Sequence, residues 1–486
     1  MSRKPEQRPV IIIGTGPAGM CVADELTRIA PEQQIIMFGG EPWRPYDRIQ
    51  LTSLLAGDVR LADMNYEDGF ASSTAKVVQY RNQPIRAIDP YGRYVTDSEG
   101  HEYRYSKLVL ATGSTPRSLD IAGVDLPGVF TFRNLDDAMQ LMARQVTSRR
   151  TVVIGGGLLG LEAARAMQRH NTQVWVVERE NRLLPRQLDE DAAGFFSEYV
   201  LAAGINVSLN TTVAAIEGRD RVRRVWLEDG CEISCDTVVI AVGIEPNVEL
   251  ARHAGLEVGR GIRIQDDTRT SDPNIFAVGE CAEHNGKVYG RVAPGQEQAR
   301  VAAHTIAGNA ATYVGTVAAT KLNLFGVDLY SLGKVQKLGA EERPYIWRSS
   351  KDNIYRKLVV RDGRAVGVIS VGNWPALPRV QDFVNQQRKF MRKHAECFQR
   401  TGFIWSPEGQ PEVIHWPDSA VVCHCTGMTR GELGRVIRKG TRSLEAVARE
   451  TRAGSVCNSC EPLISELQQD MAARPLGRKM LELFSR

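Results

Sequence analysis

Short apolar runs that lead directly into glycine turns set the pattern of this chain. The run VIII at Val10–Ile13 is followed by GTGPAG, and the next segment, AGMCVADELTRI, has the apolar spacing of a helix. A second run, QIIMF, ends at Phe38 and is closely followed by Glu41. The pattern returns at Thr151 as TVVIGGGLLGLEAARAM and then TQVWVVE, which ends at Glu178. This repeated βαβ beginning predicts an α/β protein with two Rossmann-like nucleotide-binding domains.

Three further strand-and-turn segments suggest how the two nucleotide domains are connected. They are KLVLATGSTPR at Lys107–Arg117, CDTVVIAVGIEPN at Cys235–Asn247 and NIFAVGEC at Asn274–Cys281. We interpret the last of these as the chain returning to the first nucleotide domain. The second domain is therefore predicted to be an insertion in the first.

The C-terminal part of the chain has a different pattern of apolar, proline and charged residues. The segment VVRDGRAVGVISVG places two β runs around an Asp362-Gly363 turn, which predicts a hairpin in a small α+β third domain. A proline-containing stretch with one basic helical segment, VQDFVNQQRKFMRKHAECF, is typical of a linker. A last domain of roughly 65 residues is too small for a good apolar core without a metal. The predicted limits are 1–118 with 245–312 for the first nucleotide domain, 119–244 for the second, 313–372 for the third domain, 373–419 for the linker and 420–486 for the last domain.

Composition excludes several classes of protein. The chain has 486 residues, 43% of them hydrophobic, and its 61 Lys and Arg nearly balance its 57 Asp and Glu, so no nucleic acid or other polyanionic partner is implied. The first residues, MSRKPEQRP, are too short and polar for a secretory signal. Since no run approaches the roughly 18 apolar residues of a membrane span, we expect a cytoplasmic protein without membrane attachment.

The glycines of the two βαβ units have the spacing GxGxxG. In that spacing the first glycine makes a tight turn, the second lets the backbone approach a pyrophosphate, and the third lets helix and strand pack closely. The glycines concerned are Gly14, Gly16 and Gly19 in the first unit and Gly155, Gly157 and Gly160 in the second. Glu178, at the end of the second strand, would accept from the adenosine 2′-hydroxyl of NADH and repel the 2′-phosphate of NADPH. Neighbouring Arg179 and Arg182 would soften that discrimination.

Four of the nine cysteines form two close pairs, CxC at Cys423 and Cys425 and CxxC at Cys457 and Cys460. Four thiolates at this spacing hold either zinc or a [2Fe-2S] cluster. Zinc sites more often use CxxC on both sides, and a redox-inert zinc would give a two-nucleotide protein nothing to pass electrons to. The cluster is therefore favoured, with zinc as the alternative.

Local signals near these cysteines predict helices. The TxxE spacing of Thr429 and Glu432 is a capping box before one helix, and another helix is predicted after Cys460.

The remaining thiols are interpreted as inert: Cys21, Cys231, Cys235, Cys281 and Cys397. The segment 43–57 contains no cysteine, which excludes the thiol relay of flavin disulfide reductases.

A family resemblance now becomes specific. The segments FGGEPWRPYDRIQLTSLLAGD, RQLDEDAAGFF, AVGECAEHNGKVYGRVAPGQEQAR and TKLNLFGVDLYSLG resemble the FAD and NADH portion of assimilatory nitrite reductase large subunits. They are also similar to NADH-using electron-transfer subunits of bacterial assimilatory nitrate reductases. The resemblance implies FAD at the first site, with Glu41 at the ribose, Arg48 at the phosphate side and Glu280 at the ribityl chain. It implies further FAD contacts from Thr112, Gly113 and Gly279, and a further NADH contact from Gly243.

One departure from the family pattern concerns Glu162, which the resemblance places near the nicotinamide. Related ferredoxin reductases have a Lys after YDRPPLS, whereas this chain has Ser53 in YDRIQLTS. The Lys that the family pattern would pair with Glu162 is therefore replaced by Ser53. No catalytic side chain is otherwise predicted, because the hydride and electron transfer belong to the cofactors.

The segments VCHCTGMTRGELGRVIRKG and VCNSCEPLISELQ resemble the bacterioferritin-associated ferredoxin type of [2Fe-2S] domain. The resemblance implies electron transfer from NADH through FAD and the cluster to the molybdenum-dependent catalytic subunit of an assimilatory nitrate reductase. Because the chain stops at Arg486, without the sirohaem half of nitrite reductases, an external acceptor is expected. Two alternatives are a self-contained NADH-dependent reductase of a small redox protein or a dye-like acceptor, and an iron or redox sensor.

The tryptophans of the predicted linker allow two interpretations. Trp374, Trp405 and Trp416, with the basic helix, would form a partner docking surface or a helix packed over its own domain. We prefer the second interpretation.

Overall fold

The computed structural model describes residues 8–66, 77–168, 171–317, 319–405, 412–423, 426–441, 443–454 and 460–473. In chain order the α-helices are α1 (Pro17–Ile29), α2 (Leu51–Leu55), α3 (Leu135–Gln145), α4 (Leu158–Gln168), α5 (Glu190–Ala202), α6 (Glu249–His253), α7 (Val292–Ile306), α8 (Leu377–Asn385), α9 (Arg392–Thr401), α10 (Arg430–Arg438), α11 (Leu444–Thr451) and α12 (Glu461–Ala473). Short 3-10 helices cover Arg48–Gln50, Leu61–Met64, Gly279–Cys281 and Val413–His415.

The β-strands, also in chain order, are β1 (Val10–Ile13), β2 (Ile35–Phe38), β3 (Val77–Tyr80), β4 (Ile85–Asp89), β5 (Tyr94–Asp97), β6 (Glu102–Arg104), β7 (Lys107–Leu110), β8 (Ser114–Pro116), β9 (Val129–Thr131), β10 (Arg150–Ile154), β11 (Gln173–Val177), β12 (Asn206–Ser208), β13 (Val213–Glu217), β14 (Arg224–Leu227), β15 (Glu232–Ser234), β16 (Thr237–Ile240), β17 (Ile244–Pro246), β18 (Ile262–Ile264), β19 (Ile275–Ala277), β20 (Ala282–His284), β21 (Lys287–Val288), β22 (Ala319–Leu324), β23 (Val327–Gly333), β24 (Glu342–Ser349), β25 (Ile354–Arg361), β26 (Arg364–Val371), β27 (Val421–Cys423) and β28 (Met428–Thr429).

The chain divides into two compact units. Among the described residues, the first unit contains those of 8–148, 216–223 and 236–316, and the second contains those of 149–215, 224–235 and 317–473. The boundaries of these compact units need not coincide with those of the nucleotide-binding domains. The limits of the nucleotide domains given above therefore stay predictions.

A parallel sheet organises the first unit, with strand order β3-β2-β1-β7-β19. Numbered along the chain, this order is 3-2-1-4-5, which matches the first five strands of the Rossmann order 3-2-1-4-5-6. One face packs against α1 and α7 through buried residues such as Val22, Leu26 and Ala302, and strand β1 is fully buried. Near-continuous apolar strands are expected when both faces of a parallel sheet are covered. The prediction that Asn274–Cys281 returns to this domain is confirmed by β19, which pairs with β7.

The second compact unit contains the second GxGxxG turn. Strand β11 pairs in parallel with β10 on one side and with β12 on the other, and α4 follows β10. A five-stranded antiparallel sheet, β22-β23-β26-β25-β24, forms the third domain. Its β25–β26 hairpin turns at Asp362 and Gly363, whose φ angles are 52° and 68°, as the sequence predicts.

The predicted linker differs from expectation because it contains two helices, α8 and α9, instead of one. Both pack on the third-domain sheet, where Phe383 and Phe398 are buried in a core with Trp374. Arg379 lies 4.0 Å from the centre of the Trp405 ring, and Trp416 is only 7% exposed. The tryptophans therefore belong to packed structure, which supports the packing interpretation over a docking surface.

The last part of the second unit is a small helical domain. Helices α10, α11 and α12 enclose a core that contains Val422, Leu433 and Ile464 together with the thiols of Cys423 and Cys460. Thr429 and Glu432 form the predicted capping box at the start of α10, and α12 begins directly after Cys460. Among the described residues, no helix is both long and apolar enough to cross a bilayer.

Candidate cofactor sites

The glycine turn after β1 lies at the carboxyl edge of the parallel sheet in the first unit. Ile13 pairs with Phe38 of β2 and with Leu110 of β7, so the residues that follow these strands lie side by side. Helix α1 begins at Pro17 with Gly16 as its N-cap. The free N–H groups and the positive dipole end of a helix at such an edge attract a phosphate group.

Gly14 shows why the turn needs glycine. Its φ angle is +113°, and a Cβ atom at this position would lie 2.1 Å from the carbonyl oxygen of Ala111. Gly19 is equally constrained, because its Cβ would lie 2.0 Å from the carbonyl oxygen of Gly14. The turn is therefore packed against the neighbouring strand end and the helix, which leaves its backbone close to any ligand above it.

Glu41 and Arg48 meet beside this turn. The Glu41 carboxylate forms an ion pair with the Arg48 guanidinium and accepts a hydrogen bond from the Tyr46 hydroxyl at 2.8 Å. The Arg48 Nε atom lies 3.7 Å from the Cβ position of Gly16. Burial lowers the pKa of Arg48, but Tyr46, Glu41 and Glu280 raise it, and the net direction is upward. A permanent cation thus lies at the glycine turn, where it suits a phosphate.

Glu280 has partners that the sequence did not suggest. Its carboxylate accepts a hydrogen bond from the Ser114 hydroxyl at 2.6 Å and forms an ion pair with Arg133. The Arg133 Nε atom is buried and has no partner among the described residues. Arg133 follows β9 and stands in no recognisable motif, so only the folded structure could bring it next to a residue 147 positions away.

The other predicted FAD residues of the first unit lie at the ends of β7 and β19. The Thr112 hydroxyl donates to the Asn247 carbonyl at 2.8 Å, and the Asn247 amide donates to the Thr112 carbonyl at 2.9 Å. Gly113 and Gly279 have positive φ angles, and the Gly279 N–H donates to the Gln298 side chain at 2.8 Å. Thr112 and Asn247 thus tie two chain segments together at this edge of the sheet.

The second glycine turn follows β10 in the second unit. The Gly155 N–H donates to the Val177 carbonyl at 2.8 Å, which fixes the turn to the end of β11. No heavy atom lies within 4 Å of the Cβ position of Gly157, while Gly160 is buried on α4. In a dinucleotide-binding turn, the second glycine needs open space beside it so that the pyrophosphate can approach the backbone. The third glycine must pack tightly between helix and strand.

Glu178 lies over this turn. It is 7% exposed, and its carboxylate accepts hydrogen bonds from the Gly156 N–H at 2.7 Å and the Glu180 N–H at 2.9 Å. Arg182 donates to the Leu188 and Pro185 carbonyls and to the side chains of Asn181 and Gln336. Its guanidinium is thus already committed within the protein. We expect Arg182 to soften the repulsion of a 2′-phosphate less than its position in the sequence suggests.

Two predicted coenzyme residues remain. Glu162 is half-buried on α4 in the second unit, and Ser53 is half-buried on α2 in the first. Gly243 follows β16 with a φ angle of +118°, and its carbonyl accepts from the Arg117 N–H. The proposed contacts of Glu162 and Gly243 with the nicotinamide coenzyme stay predictions.

Two of the four predicted cluster ligands are described. Cys423 ends β27 and Cys460 directly precedes α12, and both are 2% exposed. A hydrogen bond with Cys460 is the largest of the causes that lower the pKa of Cys423 to about 5, and burial opposes it. This donor pair fits a metal cluster, because thiolates are its ligands and the start of α12 favours negative charge. Cys425 and Cys457 lie outside the described residues.

The remaining cysteines differ from this pair. Burial raises the pKa of Cys21 to about 11 and also raises the pKa of Cys281. Cys235 is buried, Cys397 is half-buried and Cys231 is exposed. Since a raised thiol pKa leaves little thiolate at neutral pH, these observations support the interpretation of Cys21 and Cys281 as inert.

The fold and the two glycine turns define a flavoprotein reductase that uses a nicotinamide coenzyme. Residues 8–305 match the model of the pyridine nucleotide-disulphide oxidoreductases, and the chain belongs to that family. Residues 319–388 match the rubredoxin NAD+ reductase C-terminal domain, and residues 421–469 match the BFD-like [2Fe-2S] binding domain. The predicted cofactors FAD, NADH and a [2Fe-2S] cluster are confirmed at the level of these domains, and iron and sulfide are supported over zinc.

Curated relatives extend the comparison. The chain is 32% identical over 470 residues to the assimilatory nitrate reductase electron transfer subunit of Bacillus subtilis (strain 168), covering 96% of this chain and 60% of the relative. It is 34% identical over 476 residues to the nitrite reductase [NAD(P)H] large subunit of Klebsiella oxytoca, covering 95% and 49%. The predicted resemblance to these two groups is confirmed, although the chain spans only about half of each relative.

A solved structure supports the same class. A ferredoxin reductase from Rhodopseudomonas palustris superposes with a TM-score of 0.69 at 30% identity, covering 75% of this chain and 91% of that one. The likeness extends over the FAD-dependent reductase fold. The chain is thus an NAD(P)H-dependent FAD oxidoreductase that carries an additional [2Fe-2S] domain.

Proposed function

We propose that this chain passes electrons from NADH to the catalytic subunit of an assimilatory nitrate reductase. When bound, FAD accepts a hydride and releases electrons singly, and a [2Fe-2S] cluster accepts one electron at a time. The observation that carries the proposal is the presence in one chain of two nucleotide turns and a paired-cysteine domain, with no thiol pair at 43–57. The name of the Bacillus subtilis relative supports nitrate reductase as the acceptor. The proposed partner is a molybdenum-dependent enzyme.

The first unit would hold FAD through two kinds of group. The N–H groups of the Gly14–Gly19 turn and the Arg48 guanidinium suit the pyrophosphate. The carboxylates of Glu41 and Glu280 suit the ribose and ribityl hydroxyls, and their ion pairs with Arg48 and Arg133 hold them in place. Both carboxylates therefore have fixed orientations before a ligand binds.

The second unit would hold NADH at the Gly155–Gly160 turn. Glu178, buried and anchored by two backbone N–H groups, presents its negative charge near the expected position of the adenosine ribose. That charge would repel a 2′-phosphate, so NADH is the proposed coenzyme. Cys423, Cys425, Cys457 and Cys460 are the proposed cluster ligands.

The match to the rubredoxin NAD+ reductase C-terminal domain favours a second candidate function, a self-contained reductase of a small iron protein. In that case the reductase part would deliver electrons without the C-terminal cluster. The two candidates therefore differ in whether Cys457 is needed for turnover.

The deciding experiment combines the purified holoprotein with a purified assimilatory nitrate reductase catalytic subunit and NADH, and measures nitrite formation. The proposal predicts NADH-dependent nitrite formation that Cys457→Ser abolishes, while reduction of ferricyanide by NADH is retained. Rapid reduction of ferricyanide or rubredoxin, with no nitrite formed, would reject nitrate reductase as the acceptor and favour the second candidate.

A further inference from the structure

The segment 182–188 contacts the second glycine turn directly. The Leu184 N–H donates to the Gly156 carbonyl at 3.0 Å, while the Gly156 N–H donates to Glu178 at 2.7 Å. Leu183 packs against the same glycine, because its Cδ2 atom lies 2.7 Å from the Cβ position of Gly156. The conformation of this segment therefore affects the backbone groups of the turn.

Leu184 has a backbone conformation that its own side chain does not favour. Its φ angle is +50°, in the left-handed region, and the residue is 1% exposed. Left-handed backbone is unfavourable for a residue with a Cβ atom and persists where surrounding contacts determine it. Contacts from outside the segment are therefore needed to hold it in place.

The third domain supplies such contacts. The Gln336 side chain donates to the Leu188 carbonyl at 2.7 Å and accepts from Arg182 at 3.2 Å. Arg182 also donates to the Leu188 carbonyl at 3.1 Å. The buried Ser331 hydroxyl of β23 donates to the Gln187 carbonyl at 2.7 Å. Gln336 thus holds both ends of the segment, and Ser331 holds it next to one of these ends.

We propose that Gln336 and Ser331 of the third domain are positioning residues for the nicotinamide coenzyme, acting through the segment 182–188 on the backbone of Gly156. This inference rests on the proposed binding of NADH at the second glycine turn. The pyrophosphate of the coenzyme closely approaches the backbone of such a turn, and a turn that is already ordered binds it at a smaller entropic cost. The third domain thus sets the affinity for the coenzyme and leaves the rate of hydride transfer unchanged.

The test is a calorimetric titration of the oxidised, FAD-loaded, full-length protein with NAD+, together with steady-state reduction of ferricyanide by NADH. Gln336→Met keeps the approximate shape of the side chain and removes both of its hydrogen bonds. This variant should weaken NAD+ binding and raise the KM for NADH roughly fivefold, the effect of about one lost hydrogen bond. The kcat should be unchanged, because only binding common to the ground state and the transition state is lost.

The matched control removes a different contact of the third domain. Arg348→Met breaks the ion pair with Asp191 of α5, which lies outside the segment 182–188, and should leave the NAD+ affinity unchanged. If Gln336→Met does not fold, Ser331→Ala removes a single hydrogen bond and should weaken NAD+ binding roughly threefold. Unchanged NAD+ affinity in a folded, FAD-loaded Gln336→Met or Ser331→Ala would overturn the proposal, as would an equal loss of affinity in Arg348→Met.

Gly157→Val distinguishes failure of this proposal from failure of the proposed coenzyme site. Apart from its chain neighbours, no described residue has a heavy atom within 4 Å of the Cβ position of Gly157, so the valine occupies the space expected for the pyrophosphate. If Gly157→Val abolishes NAD+ binding while Gln336→Met leaves it unchanged, the positioning role alone is refuted. Normal NAD+ binding in Gly157→Val would reject the second glycine turn as the coenzyme site and overturn both proposals.

Discussion

At the scale of single residues, some residues of the cofactor sites can be identified from short sequence motifs. Others are brought to the sites only by the tertiary fold. The glycine turns and the acid at the end of β11 have fixed spacings, because backbone geometry at a phosphate demands them. Arg133 and Tyr46 carry no such signal, although they contact Glu280 and Glu41. Such pairings depend on tertiary structure and leave no periodic trace in the chain.

Glu178 offers the sharpest test at this scale. Glu178→Gln keeps an acceptor for the Gly156 N–H but removes the charge that would repel a 2′-phosphate. We expect the preference for NADH over NADPH, measured as a ratio of kcat/KM with ferricyanide as acceptor, to fall about tenfold, equivalent to about 1.4 kcal/mol. Glu180→Gln, which removes the same charge from an exposed neighbour, should leave the ratio nearly unchanged. Equal effects from both variants would show that net charge, and not Glu178, sets the preference.

At the scale of elements, the sequence predicted the β25–β26 hairpin and the capping box of α10 because both have short-range signals. It did not predict that α8 and α9 are separate helices packed on the third-domain sheet. Prolines and charges suggested a linker, whereas Phe383 and Phe398 are buried against that sheet. The partner surface lies far away in sequence, so periodicity alone could not reveal it.

Phe398 tests this packing. It is fully buried on α9, and Phe398→Ala should destabilise the third domain by about 3–5 kcal/mol through the lost contacts and the cavity. Amide hydrogen exchange should accelerate in β24, the strand against which α9 packs. Gln399→Ala, at the exposed neighbouring position on the same helix, should change little. Unchanged exchange in Phe398→Ala would mean that α9 contributes nothing to this core.

Two ion pairs join α5 of the coenzyme-binding part to β24 and β25 of the third domain. Lys357, 6% exposed, contacts Asp189 at 2.7 Å, and Asp189 also caps α5. Arg348 and Asp191 form the second pair, in which both side chains are about half exposed. Because the Lys357–Asp189 pair is buried, its loss should reduce the stability of this part of the protein far more than loss of the Arg348–Asp191 pair.

Matched substitutions test this difference. Lys357→Met should cost about 3 kcal/mol, because it leaves the Asp189 carboxylate without its cation in a poorly hydrated site. Arg348→Met should cost less than about 1 kcal/mol, because the exposed pair is screened by water. Local stability is read from hydrogen exchange at the start of α5. Equal costs would contradict the ranking by burial.

At the scale of the whole molecule, the chain combines an FAD-dependent reductase with a [2Fe-2S] domain. The order of the reductase and cluster domains along the chain could be predicted, because each contains a short sequence motif, GxGxxG or a close cysteine pair. The acceptor was not, since recognition of another protein depends on surface shape that no local spacing encodes.

The cluster domain should be dispensable for the first half of the reaction. Cys460→Ser should leave NADH-dependent bleaching of the flavin intact and remove the cluster, measured as lost iron and sulfide. Cys231→Ser, at an exposed thiol far along the chain from the cluster, should leave both properties unchanged. Loss of flavin bleaching in Cys460→Ser alone would show that the last domain is needed for the reductase part itself.

The most direct test of the central claim, that electrons from NADH reach the C-terminal cluster, is an anaerobic NADH titration of the holoprotein followed by absorbance and electron paramagnetic resonance. The account predicts that the flavin bleaches and that a one-electron paramagnetic signal from the cluster then appears. A fully iron-loaded protein whose flavin bleaches while the cluster never becomes paramagnetic would contradict it.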